Sequence, residues 1–178
     1  ADNLSLLNAN DAKVFGLSLK QIVSNHKRFD FVFRSHSSAS PIPHCIRGAD
    51  PIKSSRSPID YCYDFINFGK AANGKYLIPF ASSHFYLHPE TKKFNDYYSN
   101  PKMVKDIFDK QNKTDQSCIV MPSGSEWSKK WNFKLVNHDY SKIEGHIKEA
   151  SNKNQLKIKQ ALKRTLFLKL MLCRNKTL

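Results

Sequence analysis

The feature that most constrains the fold is a repeated order of short apolar runs, small polar residues and segments with apolar residues at helical spacing. The apolar runs are residues 4–7, 31–33, 76–80 and 118–121. Short runs rich in β-branched and aromatic residues, bounded by turn residues, are typical of buried strands. Strands that alternate with helices predict an α/β layered fold with right-handed βαβ crossovers.

Four segments carry apolar residues at helical spacing: 14–23, 58–71, 101–112 and 143–172. The second and third segments begin at a proline, which is typical of a helix start. Residues 133–136 alternate like an edge strand or one arm of a hairpin. The last helix mixes leucines with lysines, and its apolar stripe requires a partner surface, either the layers of its own chain or a second molecule. We expect this helix to be only partly buried, with exposed leucines between Leu162 and Leu172.

Length and composition indicate one globular domain with a strong positive charge. The chain has 178 residues and a formal charge of +14, from 29 Lys and Arg against 15 Asp and Glu. Such a charge predicts affinity for polyanions or an anionic membrane surface, although lysines that simply cover solvent-facing surfaces of helices would give the same excess of basic residues. No run approaches the roughly 18 to 20 apolar residues of a membrane-spanning helix, so a cytoplasmic protein is expected. The four cysteines lack Cys-x-x-Cys spacing and are expected to be reduced.

Several candidate site residues follow the predicted strands directly. His84 and His88 come after the third strand, His36 and Ser37 after the second, and Asp11 after the first. Because the carboxyl ends of parallel strands lie at one edge of a sheet, we expect Asp11, His36 and His84 to converge there. On spacing alone, the histidines could equally be loop residues bonded to backbone, and Asp11 could be a helix N-cap. His88 could instead be a structural histidine held against the following turn.

A group of short motifs resembles one known fold family. The motifs are NAND at 8–11, SHSSAS at 35–40, IPFASSH at 78–84, LHP at 87–89 and PSGSEW at 122–127. Together they resemble the metallo-β-lactamase fold, within the branch that contains CMP-N-acetylneuraminate hydroxylase and ascorbate-6-phosphate lactonase-like proteins. The resemblance covers the chain from its start to about residue 136.

The resemblance implies an αββα sandwich with one or two metal ions, zinc or iron, that activate a water for hydrolysis. Position by position, Asp11 matches the carboxylate that bridges or caps the metal ions, and His84 or His88 matches a late histidine ligand. The leading hypothesis takes Asp11, His84 and His88 as metal ligands, with His36 and Ser37 as candidate catalytic residues that line the site. The implied activity is hydrolysis of a small ester, lactone or phosphate-bearing substrate.

One defining motif of that family, His-x-His-x-Asp-His, is absent from these 178 residues. We therefore expect residues 1–136 to be the C-terminal half of such a domain, and residues 137–178 to be a basic helical extension. Without the missing ligands, metal binding by this chain is expected to be weak or absent. The alternative function is a basic binding module for nucleic acid or a protein partner without catalytic activity. Further expected partners are the missing N-terminal half and, through the C-terminal helix, a second copy of the chain.

Overall fold

The computed structural model describes residues 3–10, 12, 14–37, 56–82, 84–88, 91–111 and 115–174, with side chains up to residue 165. The chain divides into two compact units. The first, here called the sheet unit, comprises Ala1–His84 and Asp96–His138, and the second, the helix unit, comprises Phe85–Asn95 and Asp139–Leu178. Each unit is described separately below.

The sheet unit is built on a four-stranded, fully parallel sheet. Its strands, in spatial order, are β1 (Leu6–Asn8), β2 (Phe29–Arg34), β3 (Gly74–Pro79) and β4 (Ser117–Cys118). This confirms the predicted α/β class. Because sequence order equals spatial order, every crossover moves one strand further in the same direction, and right-handed crossovers then place all connecting helices on one face.

Three helices cover that one face. They are α1 (Gly16–His26), α2 (Pro58–Ala71) and α3 (Pro101–Gln111). Alternation along the strands brings one residue from each strand to this face, in register across the sheet: Leu7, Val32, Leu77 and Cys118. These residues pack with apolar residues of the three helices in a single core cluster. The buried core is therefore a two-layer sandwich of sheet and helices.

A two-stranded antiparallel hairpin packs on the opposite face of the sheet. It consists of β5 (Glu126–Ser128) and β6 (Asn132–Lys134). Trp127 of the hairpin lies edge-on to Phe31 with ring centroids 4.7 Å apart, and Phe133 lies edge-on to Tyr76 at 4.9 Å. These contacts show why the sequence alternates around residue 133: one side of the arm faces the aromatic row of the sheet and the other faces solvent.

The helix unit contains the long C-terminal helix α4 (Ile143–Arg174), so the predicted helix is confirmed. Ser151 donates a hydrogen bond to the carbonyl of Leu87 at 2.8 Å, which ties α4 to the 85–95 segment. Further along the helix, Leu156 and Leu162 are 61% and 58% exposed. No helix within the described ranges combines the length and apolar character needed to cross a bilayer.

Candidate functional site at the carboxyl edge of the sheet

Polar residues gather where β2 and β3 end. Ser35, His36 and Ser37 follow β2, while Ser82 and His84 follow β3. The two strands are parallel neighbours, paired from Phe29–Gly74 to Arg34–Pro79, so the two loops leave the sheet side by side. This edge is where open parallel sheets place their ligands.

Ser82 joins the two loops. Its hydroxyl accepts a hydrogen bond from the backbone N–H of His36 and donates one to the carbonyl of Ser37, both at 3.2 Å. All three residues are buried. A buried hydroxyl that satisfies one donor and one acceptor fixes the backbone on which the His36 side chain is carried.

Ser99, which comes just before α3, fixes His36 from another direction. Its hydroxyl donates a hydrogen bond to the His36 carbonyl, and its side chain also contacts the thiol of Cys62 on α2. Ser99 and Cys62 are both fully buried. Burial raises the pKa of Cys62 to about 11, so its thiol stays protonated at neutral pH and is no nucleophile there.

The imidazole of His36 is the most unusual group at this edge. The residue is 1% exposed, yet neither ring nitrogen has a hydrogen-bond partner among the residues that the structure describes. Burial lowers its pKa from 6.5 to about 4, and the nearby backbone of Ser99, which favours the protonated ring without reaching hydrogen-bond geometry, offsets this only in part. His36 is therefore neutral at physiological pH, with one ring nitrogen able to donate and the other able to accept a hydrogen bond or bind a metal ion.

His84 contacts the same aromatic ring as His36. The rings of His36 and His84 both lie edge-on to Tyr98, with centroid separations of 6.4 Å and 6.2 Å. The backbone N–H of His84 donates to the Ser82 carbonyl at 3.2 Å. Two of the three residues expected to converge, His36 and His84, therefore lie against the same aromatic ring, while the third, Asp11, lies outside the described residues.

Asn10, after β1, adds a third polar side chain to this edge. Its carbonyl accepts a hydrogen bond from the Ser35 hydroxyl at 3.0 Å. Its side-chain Oδ1 is buried and, within the described part of the chain, has no partner. Buried polar atoms are nearly always paired, so the Oδ1 of Asn10 and the two nitrogens of His36 are the atoms at this edge that could still bind a ligand, an ion or a water.

The other predicted site residues are placed as follows. Ser37 is buried beside His36, and its carbonyl is the acceptor of the Ser82 bond. His88 belongs to the helix unit, where it is exposed and its carbonyl accepts from the N–H groups of Thr91 and Lys92. Asp11 lies outside the described residues. Among those that are described, no three His, Cys, Asp or Glu side chains form a group that could hold a metal ion.

Tyr98, Ser99 and Cys62 contribute to the site although the sequence analysis did not select them. Tyr98 and Ser99 lie just before the proline that begins α3. From the sequence alone, a serine at this position indicates only a helix cap. Cys62 reads as an ordinary core residue. Their role depends on contacts between segments far apart in the chain, for which a single sequence carries no local signal.

Comparisons with protein-family models, with curated proteins and with solved structures found no match.

Proposed function

We propose that the carboxyl edge of the parallel sheet is part of the site of a metal-dependent hydrolase of the metallo-β-lactamase type. Its substrate would be a small ester, lactone or phosphate-bearing molecule. The observation that carries the proposal is the buried, neutral imidazole of His36, whose two nitrogens lack partners among the described residues. The described residues of the motifs at 35–40 and 78–84, which carry the family resemblance, lie at this same edge: they are residues 35–37, 78–82 and 84.

The low pKa of His36 decides which role suits it. A general base works best with a pKa near the working pH, so a group with a pKa of about 4 accepts protons poorly at pH 7. The same neutral imidazole is well suited to hold a metal ion or to hydrogen-bond a substrate oxygen. We therefore assign His36 to holding and orientation rather than to proton transfer.

The donor set at this edge fits a zinc or iron ion in part. His36 and His84 would hold it at this edge, with Asp11 as a further ligand proposed from the resemblance; His88, the other ligand that the resemblance implies, belongs to the helix unit and is not assigned to this edge. A bound ion of this kind would lower the pKa of a water and polarise the scissile bond. Ser82 and Ser99 would keep the His36 backbone fixed through the hydrogen bonds described above, and Ser37 would line the site.

The finer layering of the fold is also proposed. In an αββα sandwich, a second sheet would cover the face opposite the helices. That face carries exposed apolar side chains beyond the hairpin, with Leu6 58% and Phe80 42% exposed. Phe80 packs on Phe33 of the same face at 5.7 Å. Covering such side chains contributes roughly 25 cal/mol for each Å² of apolar surface removed from water, which would stabilise a second layer there.

The test uses the full chain, dialysed against Zn²⁺ or Fe²⁺ and assayed on a chromogenic ester, a lactone and a phosphomonoester. We expect metal-dependent hydrolysis that is lost in His36→Gln and in His84→Gln. His146→Gln, which changes an exposed histidine of α4, is the matched control and should retain it. Metal-dependent turnover that is equal in all three variants would contradict the proposal, as would the absence of both turnover and bound metal.

A polyanion-binding module is the second candidate, and the composition of α4 favours it. Between residues 150 and 165 this helix carries five basic residues and no acidic one: Lys153, Lys157, Lys159, Lys163 and Arg164. Binding of heparin or an oligonucleotide that weakens steeply with salt, in a chain without metal-dependent activity, would favour this function.

A further inference from the structure

A second concave site lies on the hairpin face of the sheet, near the amino-terminal ends of β2 and β3. It is a cleft of about 590 Å³ in the sheet unit, between the strands and the turn that joins β5 to β6. The lining strand residues include Phe31 and Tyr76. Both lie near the start of their strands, whereas His36 and His84 follow the strand ends, so this cleft is separate from the carboxyl edge.

Aromatic side chains form much of the wall. Phe31 and Tyr76 pack side by side with ring centroids 5.4 Å apart, and Trp127 packs edge-on against Phe31. The indole N–H of Trp127 donates to Oδ1 of Asn132 at 3.1 Å, which holds the turn in place. Trp131 also lines the cleft and remains 54% exposed, so its ring offers surface to a ligand.

The turn that presents Trp131 is shaped by local hydrogen bonds. The backbone N–H of Trp131 donates to the Ser128 hydroxyl at 3.2 Å. The next residue, Asn132, has φ of 63°, a left-handed conformation that Asn tolerates better than most residues. The backbone that carries the indole of Trp131 thus has a defined turn conformation.

The charge around the cleft is positive. Lys75, Lys129 and Lys130 line it, against the single carboxylate of Asp30. That carboxylate is already engaged, because its Oδ2 accepts hydrogen bonds from the Ser5 backbone N–H at 2.8 Å and the Ser5 hydroxyl at 3.0 Å. The backbone bond from Ser5 is the main reason why the pKa of Asp30 is lowered, with smaller contributions from Lys75 and Lys129. Three lysines thus stand against one carboxylate among the residues that line the cleft.

We propose that this cleft binds a nucleotide, with its base stacked on Trp131 and its phosphate held by the lysines. Ligand sites typically have volumes of roughly 300 to 1,000 Å³, and a flat base with an anionic phosphate matches both the aromatic wall and the cations. A neutral sugar would make no use of the positive charge, and inorganic phosphate alone would make no use of the indole. The nucleotide can come from a free nucleoside phosphate or from a single-stranded nucleic acid that crosses the cleft.

The chain contains only 2 tryptophans, both at this cleft, which makes intrinsic fluorescence a direct probe. The full chain is titrated with UMP, with a uridine oligonucleotide and with inorganic phosphate. Two variants test the wall: Trp131→Ala, and the triple change Lys75→Gln, Lys129→Gln, Lys130→Gln. The matched control is Lys102→Gln with Lys105→Gln, which removes lysines from the exposed side of α3. Thermal melting verifies that each variant is folded, and binding to the Trp131 variant is measured by calorimetry.

We expect quenching by the nucleotide ligands and a loss of affinity of about 10-fold or more in Trp131→Ala, the size usual for one stacked base. The triple lysine variant should lose binding too, with a smaller salt dependence, while the control pair keeps the affinity of the parent chain. Tighter binding of the oligonucleotide than of UMP identifies a strand as the source, and equal binding identifies a free nucleotide. The proposal is overturned if folded Trp131→Ala binds as the parent does, or if inorganic phosphate binds as well as UMP.

Discussion

Acid should destabilise this protein through His36. The folded state holds the imidazole neutral, with its pKa lowered from 6.5 to about 4 by burial, whereas the unfolded chain exposes it. Between these two pH values the unfolded state binds a proton that the folded state does not. Stability is therefore full above the unfolded pKa and is lost as the pH falls towards the folded one.

The size of this destabilisation follows from the size of the pKa shift of His36. One pKa unit corresponds to 1.36 kcal/mol, so His36 should remove about 2 kcal/mol of unfolding free energy between pH 8 and pH 5, and about 3 kcal/mol by pH 4. For a domain of ordinary stability, about 5 to 15 kcal/mol, this is a large fraction.

The assay is urea denaturation at a series of pH values in the presence of EDTA, on the parent chain and on His36→Phe. Phe fills the cavity with an aromatic ring of similar size, and the hydrogen bonds of the His36 backbone do not depend on its side chain. We expect the variant to lose most of the pH dependence between 8 and 4, while His146→Gln, at an exposed position, keeps it. Equal pH slopes in the parent and His36→Phe would refute the reasoning.

Four further substitutions test the packing and the helix caps. Ser82→Ala should cost about 1 to 3 kcal/mol of unfolding free energy, measured in urea, because it strands two buried backbone groups; no loss would show that the loops are held by other contacts. Gly69→Ala places a Cβ against the buried side chain of Leu77 and should cost about 1 to 3 kcal/mol, whereas Gly145→Ala, with nothing within 4 Å, should stabilise α4 by about 0.5 to 1 kcal/mol. The reverse order in thermal melting would contradict both. Ser57→Ala removes the capping box of α2 and should lower stability by about 1 kcal/mol, with an unchanged melting temperature counting against it.

The strand and helix order could be predicted because it depends on local periodicity. The apolar runs at 31–33 and 76–80 lie in neighbouring parallel strands, so the meeting of His36 and His84 followed from topology. Strand length is less local. The run at 118–121 forms only the short β4, whose last bond to β3 runs from the N–H of Ile119 to the Leu77 carbonyl. The next residue of β3 that faces β4 is Pro79, which has no N–H to continue the ladder.

The details of the site could not be predicted in this way. Ser82 contacts residues 45 and 46 positions earlier, and Ser99 contacts one 63 positions earlier. Such bonds arise only once the layers have packed. The unpartnered state of the His36 nitrogens is likewise a property of the folded environment, because the same imidazole on an open loop would be bonded to water.

The central claim, that His36 at the carboxyl edge is a holding group for a metal ion, is tested most directly by NMR of the imidazole nitrogens during a Zn²⁺ titration of the full chain. This measurement detects weak binding, which is what a partial ligand set should give. We predict that the ring nitrogens of His36 and His84 respond together, and that His36→Gln abolishes the response of His84 while His146→Gln leaves it intact. Ring nitrogens of His36 that remain unchanged at saturating Zn²⁺ would contradict the account.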